Sequence, residues 1–149
     1  MQVQTQFSVF LINKPGVLAT VTEALAKAKL NIRALSLMDS GEHGALRIVC
    51  DDSEATRKVL SKAHDRWTEC EVLTMELGNE AGAFAKVAKQ LAEEHININY
   101  AYCTGGAYGG KVLAVFKIAD LKKAQKVLKA HKSPGKDGSG TVKRPPGRR

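Results

Sequence analysis

Asn13 to Asn31 reads NKPGVLATVTEALAKAKLN, and Asn79 to Asn97 reads NEAGAFAKVAKQLAEEHIN. Each stretch opens on an asparagine and a glycine-containing turn, carries a helical pattern, and closes on a second asparagine. At an offset of 66, Gly16 meets Gly82, Leu18 meets Phe84, Val21 meets Val87 and Leu25 meets Leu91. Leu30-Asn31-Ile32 then meets Ile96-Asn97-Ile98. The match reads on to Gly44 with Gly110 and Val49 with Val115, then slips by two, so that Lys58-Val59-Leu60 meets Lys126-Val127-Leu128. Two copies of so long a unit are too few for a solenoid. The chain is a tandem duplication.

Each copy has the same order of elements. TQFSVFLI, residues 5–12, alternates and is rich in β-branched and aromatic residues, the signature of a strand. Its counterpart EVLTMEL, 71–77, fixes the buried face, because Phe7, Val9 and Leu11 align with Leu73, Met75 and Leu77. The other face changes from Phe10 to Glu76. Leu18, Val21, Leu25 and Ala28 recur at helical spacing, as do Phe84, Val87 or Ala88, and Leu91. Pro15 suits a first helical turn, where its missing N–H loses nothing. Two strands follow in each copy, IRALSLMD and GALRIVCD in the first, INYAYCT and KVLAVFKI in the second. Second helices begin near Asp52 or Ser53 and near Asp120, residues suited to capping. WTECE closes the first copy with a strand, and the second lacks one. The expected fold class is α+β: two tandem ferredoxin-like βαββαβ domains, with helices on one face of antiparallel sheets. Their boundaries are 1–70 and 71–131, with a disordered basic tail at 132–149.

That tail, KSPGKDGSGTVKRPPGRR, holds six of the chain's 23 basic residues and one of its 15 acidic residues. With Val142 as its one large apolar side chain, it cannot offset its own ordering entropy. The net charge of +8 is therefore largely a property of the tail. No aromatic residue lies among its cations to stack on bases, which argues against a single-strand site. No apolar run reaches the ~18 residues of a membrane span, and residues 1–10 lack a signal peptide's basic start. Three scattered cysteines without C-x-x-C spacing give no disulfide framework or zinc site. A cytoplasmic protein is expected.

Asn-x-Pro-Gly-Val-Leu opening a helix, with Leu-Asn-Ile opening the next strand, resembles the ACT domain, the regulatory module of amino-acid-metabolising enzymes. The resemblance covers residues 5–131. The first copy carries it through Asn13, Pro15, Gly16, Val17, Leu18, Asn31 and Ile32. The second keeps Asn79, Gly82, Asn97 and Ile98, has Ala81 in place of the proline, and sets Ala83 and Phe84 where the first has Val17 and Leu18. The resemblance implies that these residues bind a free amino acid between paired domains, with no other cofactor. In the serine-binding regulatory domain of phosphoglycerate dehydrogenase, asparagines at the positions matched by Asn13 and Asn31 contact the ligand. A histidine of that domain falls on Leu11 here, so serine itself is not implied. The chain is also similar to the small regulatory subunits of acetolactate synthase, which implies a separate enzyme as partner.

The residues themselves allow the same chemistry. A helix's first turn offers unpaired N–H groups and partial positive charge to a carboxylate. Gly16 and Gly82 permit close approach to the backbone, and an asparagine amide can both donate and accept. Asn13 and Asn31 are equally suited to capping a helix and sitting in a turn. An α-helix of this length would hold them roughly 20–25 Å apart, so one small ligand cannot touch both within a copy. Antiparallel copies would pair Asn13 with Asn97 and Asn79 with Asn31 inside the chain; in a homodimer Asn13 could meet the second subunit's Asn31. The open edge of the second copy invites either the chain's own first strand or a second subunit, and a homodimer is expected.

Catalysis finds no support. GGAYGGK, 105–111, has the spacing of a phosphate loop but is followed by Val112 and a strand, so the required helix and hydroxyl are missing. Tyr100, Tyr102 and Tyr108 suit a ligand or partner surface, or the cover of a sheet face. Cys50 and Cys103 fall on strands, the usual place of inert buried thiols. His43, His64, His95 and His131 form no metal-ligating pair, and His64 and His131 suit helix C-termini. Two further function classes stay open: a protein-interaction module indifferent to ligand, and weak nucleic-acid binding through the tail.

Overall fold

The computed structural model describes residues 1–64, 66–106 and 109–130; the expectations for Tyr108, His131 and the tail 132–149 lie outside them. The order is β1 (Gln2–Ile12), α1 (Val17–Lys27), β2 (Ile32–Ser40), β3 (His43–Cys50), α2 (Ser53–Ala63) and β4 (Trp67–Gly78). It continues with α3 (Ala83–Glu93), β5 (Ile98–Thr104), β6 (Lys111–Ile118) and α4 (Leu121–Ala130). All six strands join one antiparallel sheet in the order β2-β3-β1-β4-β6-β5.

WTECE and EVLTMEL, read as two strands, are one continuous strand, β4. Its first half pairs with β1, from Trp67 opposite Val9 to Thr74 opposite Gln2, and thereby closes the first copy. Its second half pairs with β6, from Leu73 opposite Phe116 to Gly78 opposite Lys111, and thereby opens the second copy. The start of β1 does the reciprocal service. Gln2, Val3 and Gln4 lie against Thr74, Leu73 and Val72, where a closing strand of the second copy would lie. The edge expected to stand open is thus partly filled from within the chain, and the expected boundary at 70/71 falls inside β4.

The copies are related with a slip of two residues, and its place differs from the sequence reading. Phe7 faces Ile48 in the first copy, and its equivalent Leu73 faces Phe116 in the second. Ile48 therefore corresponds to Phe116 at an offset of 68, so the insertion lies in the β5–β6 turn. Val49 corresponds to Lys117, not to Val115. A loop absorbs an extra residue pair without moving any side chain across the sheet, whereas a slip within a strand would disturb its pairing.

Each copy buries its own core between sheet and helices. Phe7, Val9, Leu11, Val21, Leu25, Leu46, Ile48 and Leu60 form one; Leu73, Met75, Leu77, Val87, Leu91, Phe116, Ile118 and Leu128 form the other. Phe7 meets Trp67 at 5.7 Å between ring centroids, and Phe84, though partly exposed, stacks on Phe116 at 5.3 Å. Part of the helix-free face is buried too, because the sheet curls until its edge strands β2 and β5 touch. Ala34, Val49, Val72 and Val115 pack inside that curl. Gln6, fully buried, donates from Nε2 to the Tyr100 hydroxyl at 2.6 Å and accepts at Oε1 from the Tyr102 hydroxyl at 2.9 Å. Two strands separate β1 from β5 in the sheet, so these bonds require the curl. Arg47 lies over the Tyr100 ring, 4.0 Å from its centroid, a cation–π contact across the copies.

Candidate ligand-binding loops

The leading loops have one geometry in both copies. Val17 N–H donates to the Lys14 carbonyl at 3.4 Å, with Gly16 at φ 88°, ψ −18°. Ala83 N–H donates to the Glu80 carbonyl at 3.3 Å, with Gly82 at φ 88°, ψ −13°. A four-residue turn with positive φ at its third residue is type II, which favours proline second and glycine third. Pro15 therefore sits in this turn, before Gly16, the residue that caps α1, and not in the helix's first turn as expected. A methyl group added at Gly16 or Gly82 would meet nothing within 4 Å, so open space lies over each helix start.

Neither leading asparagine caps its helix. Asn13 donates its backbone N–H to the Glu42 carbonyl at 2.9 Å and its Nδ2 to the Gly41 carbonyl at 3.3 Å. Asn79 donates its N–H to the Gly110 carbonyl at 2.9 Å and its Nδ2 to the Gly106 carbonyl at 3.0 Å. Both asparagines thus fasten the helix-leading loop to the neighbouring hairpin turn. This bond uses the amide donor; the Asn13 Oδ1 accepts no hydrogen bond among the described residues.

In the first copy the fastened loop walls a cleft of 190 Å³. Asn13, Lys14, Val17 and Leu18 form one side, and Leu37, Met38 and Asp39 of β2 the other. The sequence reading missed these β2 residues, since β2 reaches the loop only through the curl of the β2–β3 hairpin. One signal was present: Leu37-Met38, two adjacent large apolar side chains on an edge strand, where only one can face the core. The second copy has a cleft of 240 Å³ lined by Leu77, Glu80, Ala83 and Lys86. That cleft reaches Gln90 of α3 and Leu128 of α4 and includes neither Asn79 nor any residue of β5, so it is not the counterpart of the first; in the loop itself Glu80 replaces Lys14 and Ala83 replaces Val17.

The trailing asparagines lie far from the leading ones. Leu30 N–H bonds to the Leu25 carbonyl and Lys29 N–H to the Ala26 carbonyl, with Lys29 at φ 58°. Ile96 and His95 repeat this on Leu91 and Ala92, with His95 at φ 55°. These paired bonds are Schellman motifs, and Asn31 and Asn97 are the first residues beyond them. Asn31 N–H donates to the Asp51 carboxylate at 3.1 Å, and the Asn31 carbonyl accepts from the Asp51 N–H at 3.2 Å. Ile32 and Ile98 pack on the two cores. Asn97 lines a separate shallow depression with His95, Asn99 and Lys123.

The strand registers place Asn97 away from Asn13 within one chain. Ile98 faces Ile118, two residues beyond the Phe116 that faces Leu73, and Leu73 faces Val3. Asn97 is therefore level with the first half of β1, while Asn13 follows its end. About eight residues of strand, roughly 25 Å, separate them along the sheet. The same count separates Asn31 from Asn79. The pairing of Asn13 with Asn97 inside one chain is not formed.

Among the described residues no group of three or more His, Cys, Asp or Glu could hold a metal ion. Cys50 is buried, and burial pushes its thiol up from the ordinary value; Cys103, expected inside, is exposed on the edge strand β5. No described helix is long and apolar enough to cross a membrane.

Residues 1–133 match the family model described as ACT domain pair. The chain is similar to a protein from Bacteroides thetaiotaomicron whose crystal structure is known, with 33% identity and a TM-score of 0.80 over 87% of this chain and 89% of that one. It is similar in fold to aspartokinase alpha and beta subunits, with 20% identity and a TM-score of 0.63 over 87% and 96% of the two chains. The regulatory subunit of aspartate kinase from Thermus thermophilus matches at 13% identity and a TM-score of 0.62, over 89% and 99%. Among curated proteins none matches.

Proposed function

The chain belongs to the ACT domain pair family, and from that premise we propose that it is a non-catalytic regulator that senses a free amino acid and controls a separate enzyme. The observation that carries this reading is the duplicated loop. In both copies a type II turn, an asparagine fastened to the next hairpin and an open helix start recur together. Structure alone would not need both the asparagine and the open space. The helix start suits the ligand's carboxylate, and the Asn13 Oδ1 and Asp39 suit its ammonium. Leu37, Met38, Val17 and Leu18 favour an apolar side chain in the first cleft.

The regulated enzyme is one of amino-acid biosynthesis, such as aspartate kinase or acetolactate synthase, and the setting is cytoplasmic. The regulator acts as a homodimer. Met38, Ala45 and Phe10 stand abreast on three adjacent strands, with Ile12 beside them. Phe10, Ile12 and Met38 are exposed, as are Leu35 and Leu37 on the outer strand β2. A second copy laid on this face would also roof the neighbouring cleft. Neither membrane nor nucleic acid belongs to this reading.

A thermal-shift panel of the twenty amino acids, followed by calorimetry, tests it. A ligand of the folded state raises the melting temperature by mass action. Asn13→Ala should weaken binding by roughly tenfold or more, the cost of a lost hydrogen bond to a charged group. Indifference to all twenty would instead favour a pure interaction module, for which the exposed apolar row is the natural surface.

A further inference from the structure

The two copies diverge most sharply on the helix-free face beside the start of β1. Glu76 stands where the first copy has Phe10, and Arg33 of the first copy stands where the second has Asn99. The curl of the sheet brings these divergent positions together. Arg33, from β2, and Glu76 and Lys111, from β4 and β6, line one crevice of 320 Å³ with Thr74 and Gln2. Lys111 Nζ lies 3.1 Å from a Glu76 carboxylate oxygen. Arg33 has no hydrogen bond among the described residues, yet its charge, after those of Lys111 and the Met1 ammonium, helps hold the Glu76 carboxyl below the usual range. A plain surface ion pair needs one cation. Here a further cation, without a hydrogen-bonded partner among the described residues, arrives from the other copy.

We infer that this crevice is a second ligand site, distinct from the leading loops, for a small acidic amino acid bearing two carboxylates and one ammonium. Arg33, Lys111 and Glu76 complement that ligand group for group, and Met1 lines the same crevice. Arg33 takes one carboxylate with its planar fork, Lys111 takes the other, and Glu76 exchanges its bond with Lys111 for the ammonium. The side chains come from both copies, so a ligand here fastens β2 of the first copy to β4 and β6 of the second. The equivalent place by the pseudo-two-fold carries Asn99, Phe10 and His43, and so lacks the arginine and the carboxylate.

Titration of the full chain with L-aspartate and L-glutamate by calorimetry tests the assignment, with succinate as the probe lacking an ammonium. Binding of at least one acidic amino acid is expected. Arg33→Gln should weaken it by about tenfold or more, and so should Glu76→Gln. Succinate should bind more weakly and be insensitive to Glu76→Gln. Asn13→Ala should leave the acidic amino acid's affinity unchanged. These are exposed or half-exposed surface positions, and unchanged melting of each variant in plain buffer checks folding. Glu76→Phe, which copies the residue at Phe10, is the second test and should abolish the site. If neither acidic amino acid binds while an apolar one does, this site is wrong and the leading-loop reading stands. If an acidic one binds but loses affinity with Asn13→Ala and not with Arg33→Gln, its site is the loop and the inference fails. If no amino acid binds, both fail.

Discussion

Gly16 and Gly82 hold φ 88° with nothing near them, so backbone geometry and not crowding fixes the residue type. A side chain at positive φ costs roughly 1–2 kcal/mol, which outweighs the entropy that alanine removes from the unfolded chain. Gly16→Ala should therefore destabilise by about 1 kcal/mol despite the open space, read as a lower midpoint in urea. Lys29 and His95 stand on the opposite side of that argument. Each is a non-glycine residue in the left-handed region at a helix end, and His95→Gly should stabilise by about 0.5–1 kcal/mol. An unchanged or lower midpoint for His95→Gly would mean that its side chain makes contacts worth the strain. The glycines were legible in the sequence because turn chemistry demands them. Lys29 and His95 were not, because lysine and histidine carry no left-handed signal. Only the apolar Leu30 and Ile96 after them, in the Schellman position, hinted at it.

Strands β2, β3, β5 and β6 and all four helices were legible from periodicity to within two residues at each end. β4 was not, since WTECEVLTMELG breaks alternation where Val72, Leu73, Thr74 and Met75 are buried in succession. Helices cover one face there and the curled sheet covers the other, and two-sided burial erases a period of two. That second cover comes from the other copy, which no local pattern can report. The leading loops were legible for the same reason that the glycines were, whereas the β2 wall of the cleft needed the folded hairpin. One tie between elements makes a pH-dependent prediction. Arg57 of α2 grips Glu69 of β4 with bonds of 2.8 and 3.0 Å, and these hold the Glu69 carboxyl below its ordinary range. A depressed carboxylate stabilises above its unfolded pKa, and that contribution disappears as pH falls through the lowered folded value. The pair is exposed, so solvent screening keeps its contribution small. Glu69→Gln should flatten the part of the stability–pH curve below about pH 4.5 that wild type shows, and leave the neutral arm nearly unchanged.

Over the whole molecule, two cores share one sheet, and Gln6 of one copy holds Tyr100 and Tyr102 of the other. Unfolding should accordingly be a single transition. Trp67, the one tryptophan, sits on Phe7 in the first copy's core and reports on that copy alone. Leu128→Ala empties space in the second copy's core and should cost about 2–4 kcal/mol. Its effect should appear equally in Trp67 fluorescence and in far-ultraviolet dichroism; two separated midpoints would show that the copies melt independently. The reciprocal use of β1 and β4 also determines how this molecule can be taken apart. A cut between His64 and Trp67 leaves one piece with β1 but without β4, and another with β4 but without β1. Each piece lacks the strand that finishes its own half, and the partner piece carries it. Such halves are natural reassembly tags: separately expressed they should be unfolded or sticky, and on mixing they should recover the parent's dichroism. The duplication thus places inside one chain a strand exchange that two separate halves would have to make between molecules.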